Sequence, residues 1–184
     1  MKKVIVLTLG LAFAAFGADA QKYMTRTAKV HFDATTSHSP EKIEGVNNEV
    51  GNILDAKTGD IVFQVLVKSF KFEKQLMEEH FHENYMESDK YPKSDFKGVI
   101  SNISEVNFSK DGTYNVTVTG MLTIHGVTNK VSVPGTITVK GNTLLAKAKF
   151  SVVLKEYKID VPSLVADKLA KTATITLESN LVQK

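Results

Sequence analysis

The chain has 184 residues, no cysteine, no tryptophan and a formal net charge of +3. That length accommodates a leader and one domain with a sizeable core. The lack of cysteine excludes a disulfide framework and thiol chemistry, and the small charge, with no basic patch interleaved with aromatics, speaks against nucleic acid as a partner.

The first residues read MKKVIVLTLGLAFAAFGADAQKY. Lys2 and Lys3 precede an apolar run from Val4 to Phe16, and Ala18-Asp19-Ala20 has the small-x-small pattern of a cleavage site. The pattern predicts a signal peptide over 1–20, a single domain over 21–184 and a periplasmic address. The run is short for a membrane span and nothing later is long enough to be one, so no stable membrane insertion is expected.

Beyond Tyr23 the dominant period is two. In GTYNVTVTGMLTIHG, the residues Tyr114, Val116, Val118, Leu122 and Ile124 alternate with Asn115, Thr117, Thr119 and Thr123. One apolar and one polar face make a half-buried strand. The same alternation places Leu144, Ala146, Ala148, Phe150, Val152 and Leu154 on one side of a later strand, and Ala173, Ile175, Leu177 and Leu181 on one side of the last. Turn signals at Thr58-Gly59-Asp60, Asp111-Gly112, His125-Gly126 and Gly141-Asn142 divide the chain. The predicted strands cover 25–33, 43–56, 61–72, 96–108, 113–124, 130–140, 143–155 and 172–182. Eight long, tightly connected antiparallel strands leave exposed edges unless the sheet closes on itself. The expected fold is therefore all-β, an eight-stranded antiparallel barrel, with glycines inside strands at 51, 98, 120 and 135 where the sheet curls.

Two stretches break the alternation. LMEEHFHENYMESDKYP is rich in helix formers and ends in Pro92, which predicts a short amphipathic helix over about 73–87. On a helical wheel Leu76, Met77, His80, Phe81 and Asn84 share one face, and Glu78, Glu79, His82 and Glu83 the other. His80 and His82 then point roughly 200° apart and cannot chelate one ion from one helix. No metal site is expected, and the apolar stripe is expected to close the barrel's open end. VPSLVADKLAKT predicts a second short helix over about 162–169.

The segments MEEHF, KYPKSDFKG, GMLTIHGVTNKVSVP and FSVVLKEYKIDVP lie in order along the chain. Together they resemble the YceI-like family of exported bacterial proteins, and the extended LMEEHFHENYMES is most similar to members from Bacteroidetes-type bacteria. The chain departs from the family's commoner pattern in having no tryptophan and Met77-Glu78 before the helix histidine. The resemblance implies a lipocalin-like barrel in the periplasm. It also implies a lumen that holds a long amphipathic lipid, a polyisoprenoid or fatty-acid-like chain.

Eight strands enclose an interior just wide enough for side chains or one small ligand. Candidates for the lumen wall are Phe32, Phe63, Val65, Val67, Ile100, Tyr114, Val116, Val118, Phe150 and Val152. Met77, His80 and Phe81 are candidates for its lid. No catalytic residue and no cofactor is assigned, since no nucleophile elbow or phosphate loop occurs. His125, beside Gly126, reads as a turn residue at the barrel mouth. A barrel filled by its own side chains and acting through its surface is the alternative; an enzyme and an outer-membrane barrel fit less well, the latter because the aromatic girdles are missing. The oligomeric state stays open, with a dimer as one option.

Overall fold

A computed structural model describes residues 21–163 and 167–184. Among these residues are nine strands: β1 (Lys22–Thr35), β2 (Glu44–Asp55), β3 (Asp60–Leu66), β4 (Lys71–Phe72), β5 (Lys93–Ile100), β6 (Gly112–Ile124), β7 (Val127–Lys140), β8 (Thr143–Val153) and β9 (Leu169–Gln183). All neighbours pair antiparallel. The order β1-β9-β8-β7-β6-β5-β3-β2 returns to β1 through Met24 opposite Ile53, so eight long strands close a barrel; β4 is a two-residue addition to β2. Closure removes the edges that long alternating strands would otherwise expose.

Alternation decides which way each strand faces. On β8, Leu144, Ala146 and Val152 are buried while Lys147, Lys149 and Ser151 are exposed. Gly98 on β5 lies opposite Gly120 on β6. A Cβ on Gly98 would come within 2.5 Å of the Thr119 carbonyl oxygen and one on Gly120 closer still to the Lys97 carbonyl oxygen, with the Phe96 ring 2.6 Å from both, so neither position admits a side chain without moving backbone.

Three predicted boundaries change. The strand expected over 61–72 stops at Leu66, where a 3₁₀ turn over Val67–Ser69 buries Val67 and its N–H donates to the Pro92 carbonyl (3.0 Å). The strand expected over 96–108 stops at Ile100, and 101–111 is a loop with a 3₁₀ turn at Ile103–Glu105. Asp111-Gly112 is thus the end of that loop rather than a two-residue hairpin; the Asp111 carboxylate instead accepts from the Gly141 N–H (2.8 Å). The second predicted helix, 162–169, falls partly on 164–166, outside the described residues, and Leu169, its expected end, opens β9.

The two ends of the barrel differ. At one end Tyr23, Leu54, Val139, Leu144 and Leu181 are buried, and the Tyr23 ring stacks on Phe108 of the 101–111 loop at 6.0 Å. That end is plugged. The helical segment lies at the other.

Candidate ligand cavity

Above the plug the lumen is not filled. A cavity of about 170 Å³ runs up the barrel axis. On β6 its wall extends from Val116 to Ile124, about 26 Å along the strand and roughly 20 Å along the axis once the strand tilt is allowed for. So little volume over such a length makes a narrow slot, matched to an extended chain rather than to a compact ring. The wall is almost wholly apolar. Aromatic bulk from β1, β3 and β5 (Phe32, Phe63, Phe96) faces small residues on β7, β8 and β9 (Gly135, Ala146, Ala148, Ala173), and that mismatch in size leaves the space.

Nine predicted residues line the slot: Phe32, Phe63, Val65, Ile100, Val116, Val118, Phe150 and Val152 on the strands, and Phe81 on the lid. Four do not. Val67 is turned away by the 3₁₀ turn that breaks its strand. Tyr114 belongs to the plugged end, where its hydroxyl donates to the Lys110 carbonyl (3.0 Å). Met77 is half-buried and His80 exposed, neither reaching the slot. Val30, Phe70, Met86, Phe96 and Leu122 line it without having been expected there; for Val30, Phe96 and Leu122 the period-two signal is present in their own strands.

The lid is α1 (Gln75–His80) continued by one π-helical turn over Phe81–Tyr85, in which the Met86 N–H reaches back to the Phe81 carbonyl (2.9 Å). A π-turn carries an extra residue, so the 100° spacing of the wheel fails beyond Phe81. Phe81 and Met86 consequently point inward, and Asn84 does not. In the first turn of α1, Met77 is half-buried while Leu76 is 62% exposed. The aromatic contact centres on Phe81, whose ring packs against Phe72 (4.9 Å), Phe70 (5.2 Å) and Phe32 (5.5 Å). His82, expected on a solvated face, is half-buried; its Nε2 is enclosed and has no hydrogen-bond partner. Among the described residues no three or more metal-ligating side chains converge on a possible ion site.

Polar contacts fasten the lid from outside. The Lys71 Nζ donates to Glu78 (2.6 Å), whose other oxygen accepts the Phe72 N–H (3.2 Å). The Lys71 hydrogen bond, against a smaller desolvation effect, holds the Glu78 carboxyl below the usual carboxylate range. Lys74 pairs with Glu41 and Lys68 with Asp89. The lid's far end is held by His125, which is 8% exposed. Its Nε2 lies 2.7 Å from the Glu87 carboxylate and its Nδ1 3.2 Å from the Tyr157 carbonyl oxygen. Tyr91 packs edge-on against the imidazole at 4.5 Å. His125 (φ +50°) and Gly126 (φ +73°) form the tight β6–β7 turn, and a Cβ on Gly126 would strike the Tyr91 ring at 2.5 Å. The HG dipeptide therefore supplies the turn, the lid anchor and the space for Tyr91 together.

Towards the plugged end, one buried polar pair interrupts the apolar interior: the Asn52 Nδ2 donates to the Ser179 Oγ (2.8 Å). Their strand neighbours Phe63 and Ala146 line the slot.

A closed eight-stranded antiparallel barrel around an internal apolar slot, capped by a short helix, is a lipocalin-like architecture. Among the described residues no helix is long and apolar enough to cross a membrane. The chain belongs to the YceI-like family: the model of the YceI-like domain matches residues 22–181. No curated protein matches it in sequence. Among the solved structures that share the fold are the following three. A polyisoprenoid binding domain from Saccharophagus degradans is 9% identical, with a TM-score of 0.77 over 90% of this chain and 99% of that one. BcnA of Burkholderia cenocepacia is 17% identical, with a TM-score of 0.64 over 84% and 96%. The YceI protein of Campylobacter jejuni is 14% identical, with a TM-score of 0.56 over 79% and 88%.

Proposed function

We propose that the protein is an exported, non-enzymatic binding protein that holds one long-chain amphipathic lipid, isoprenoid or fatty-acid-like, in its lumen. The observation that carries this reading is the slot itself: elongated, almost without polar atoms and closed by an aromatic lid. Each buried methylene contributes about 0.8 kcal/mol, so a chain of a dozen or more carbons binds tightly with no catalytic group. The structural neighbour described as a polyisoprenoid binding domain supports the same ligand class. The slot is small against the roughly 300–1,000 Å³ of most ligand pockets, so a long chain enters by displacing the lid and the rotamers of the phenylalanines. Export rests on the leader over 1–20, and the periplasm is the compartment it addresses. Carriage or storage of the lipid, as in a response to stress, is the role such a site suits.

Native mass spectrometry of protein purified from its source cells, with organic extraction of the same sample, tests the reading. The expected result is an adduct that extraction identifies as one long-chain lipid. A clean apo mass, together with no uptake of any isoprenoid or fatty acid offered, overturns it and favours a barrel that works through its surface. N-terminal sequencing of the periplasmic fraction is expected to begin at Gln21.

A further inference from the structure

One seam of the barrel is paired over only part of its length. β7 and β8 pair from Lys140 opposite Thr143 up to Gly135 opposite Ala148, and there the ladder stops. Above that rung, residues 130–134 pair with β6 and residues 149–153 with β9, but not with each other. Pro134 accounts for the stop. Pairs in an antiparallel ladder alternate between bonded and non-bonded. Counted from Lys140–Thr143, which closes a two-residue turn, Pro134 falls opposite Lys149 at a bonded position and has no N–H to give. Higher up, the Asn129 Nδ2 donates to the Glu156 carbonyl (3.0 Å), in the 3₁₀ turn over Leu154–Tyr157. The unpaired stretch between is about 17 Å long.

This seam lies directly over the slot. Val131 and Val133 from β7 and Phe150 and Val152 from β8 all line it, so side chains rather than backbone rungs close the wall here. At the lower end the wall is bare backbone. The slot reaches Thr136 and Lys147, whose side chains face outwards, and an open depression on the outside is bounded by the same two residues with Gly135 and Ala148. The outer rim is basic and rich in hydroxyls. Lys130 and Ser132 on one edge and Lys149 and Ser151 on the other are exposed, with Thr119 opposite Ser132 and Thr174 opposite Ser151 on the flanking strands. Among the described residues neither Lys130 nor Lys149 is in an ion pair, while Glu178, below the seam, is paired with Lys147 (3.0 Å).

We propose that the β7–β8 seam is the place where the head group of a bound lipid leaves the barrel, and that the head group it takes is anionic, a phosphate or a carboxylate. This rests on the reading that the lumen holds a long chain. A charged head cannot follow that chain into a slot almost without polar atoms, and Phe81 with its ring of phenylalanines fills the mouth. The seam parts without breaking a ladder rung. Outside it, Lys130 and Lys149 supply opposite charge from both edges, and the N–H groups of Ser132 and Ser151, which have no ladder partner, supply donors. The lid then closes over the chain, because the head does not pass under it.

Displacement of N-phenyl-1-naphthylamine, a neutral probe of apolar cavities, by dodecyl phosphate and by dodecanol tests this. Both ligands carry the same chain, so their ratio reports the head group alone. The wild type is expected to take the phosphate at least tenfold more tightly than the alcohol. Lys130→Gln with Lys149→Gln is expected to bring the two ligands level, whereas Lys93→Gln, at the lid end of β5, keeps the wild-type ratio. Millimolar inorganic phosphate is expected to displace nothing. A wild type that binds both ligands equally overturns the proposal and leaves the lipid reading standing. A preference that survives the double variant but is lost in Lys93→Gln puts the head beneath the lid and also overturns it, as does displacement by inorganic phosphate alone. If neither ligand displaces the probe, the lipid reading fails and the proposal with it.

Discussion

The two ends of the barrel are built from the same alternating strands and have opposite interiors. At the plugged end, large aliphatic side chains from facing strands (Leu54, Leu144, Leu181) meet, and Tyr23 and Phe108 seal the remaining gap. Above the plug, phenylalanines face alanines and a glycine, and the space between them is left over. Period-two patterning selects the face but not the volume. Closure at the lid end is supplied instead by one inserted ring, Phe81, held by contacts that lie largely outside the barrel. Dense packing lies at the first end and unfilled space towards the second.

The largest expected effect comes from breaking the lid. Phe81→Asp places an unpaired carboxylate among Phe32, Phe70 and Phe72, and lowers stability by about 4 kcal/mol or more; urea denaturation measures the loss, and native mass spectrometry is expected to find the lipid adduct gone. Leu144→Ala at the plugged end lowers stability by about 2–5 kcal/mol through a cavity that cannot collapse, yet leaves the adduct in place. Equal loss of lipid in both variants would erase the distinction between the ends. His125→Ala leaves Glu87 and the Tyr157 carbonyl without their partner and lowers stability by about 1–3 kcal/mol, with faster lipid release measured by transfer to acceptor vesicles.

Two smaller effects sharpen the contrast. Ala148→Leu adds bulk to the wall of the slot and is expected to raise stability by about 0.5–2 kcal/mol, as cavity-filling changes do, while reducing lipid uptake in a titration. The smallest effect concerns acid. Because the Glu78 carboxyl titrates lower in the folded protein than in the unfolded chain, its contribution is fully present above the ordinary glutamate value of about 4.3 and is lost as pH falls through the folded value. Wild type is therefore more stable than Glu78→Gln at pH 7 and equal to it in strong acid, as urea midpoints at the two pH values report.

Much of the fold was legible because strand direction and facing are local properties. A one-residue error in alternation would have turned β8 inside out, and Leu144 to Val152 face inward as their pattern indicates. The break at Leu66 was not legible, since apolar residues continue past it and nothing local announces the 3₁₀ turn; at Ile100 the Ser101-Asn102 pair signals a turn, but the apolar Ile103, Val106 and Phe108 beyond it masked that signal. The helix was legible as a helix, but its inward face was not. The π-turn after His80 rotates the residues beyond it, so Met86 rather than Asn84 reaches the lumen and His82 is drawn in. His125 was legible as a turn residue. Its bridge to Glu87 and Tyr157, 38 and 32 positions away, was not.

The order of residues by itself determined a closed antiparallel β-structure with a greasy inside and a helical interruption before Pro92, because periods of two and near four and the chemistry of turns act over a few residues. Only the tertiary structure decided that one end is solid and the other hollow. Whether an inward side chain fills space or lines it depends on the size of the side chain across the barrel, and that neighbour lies strands away in the chain.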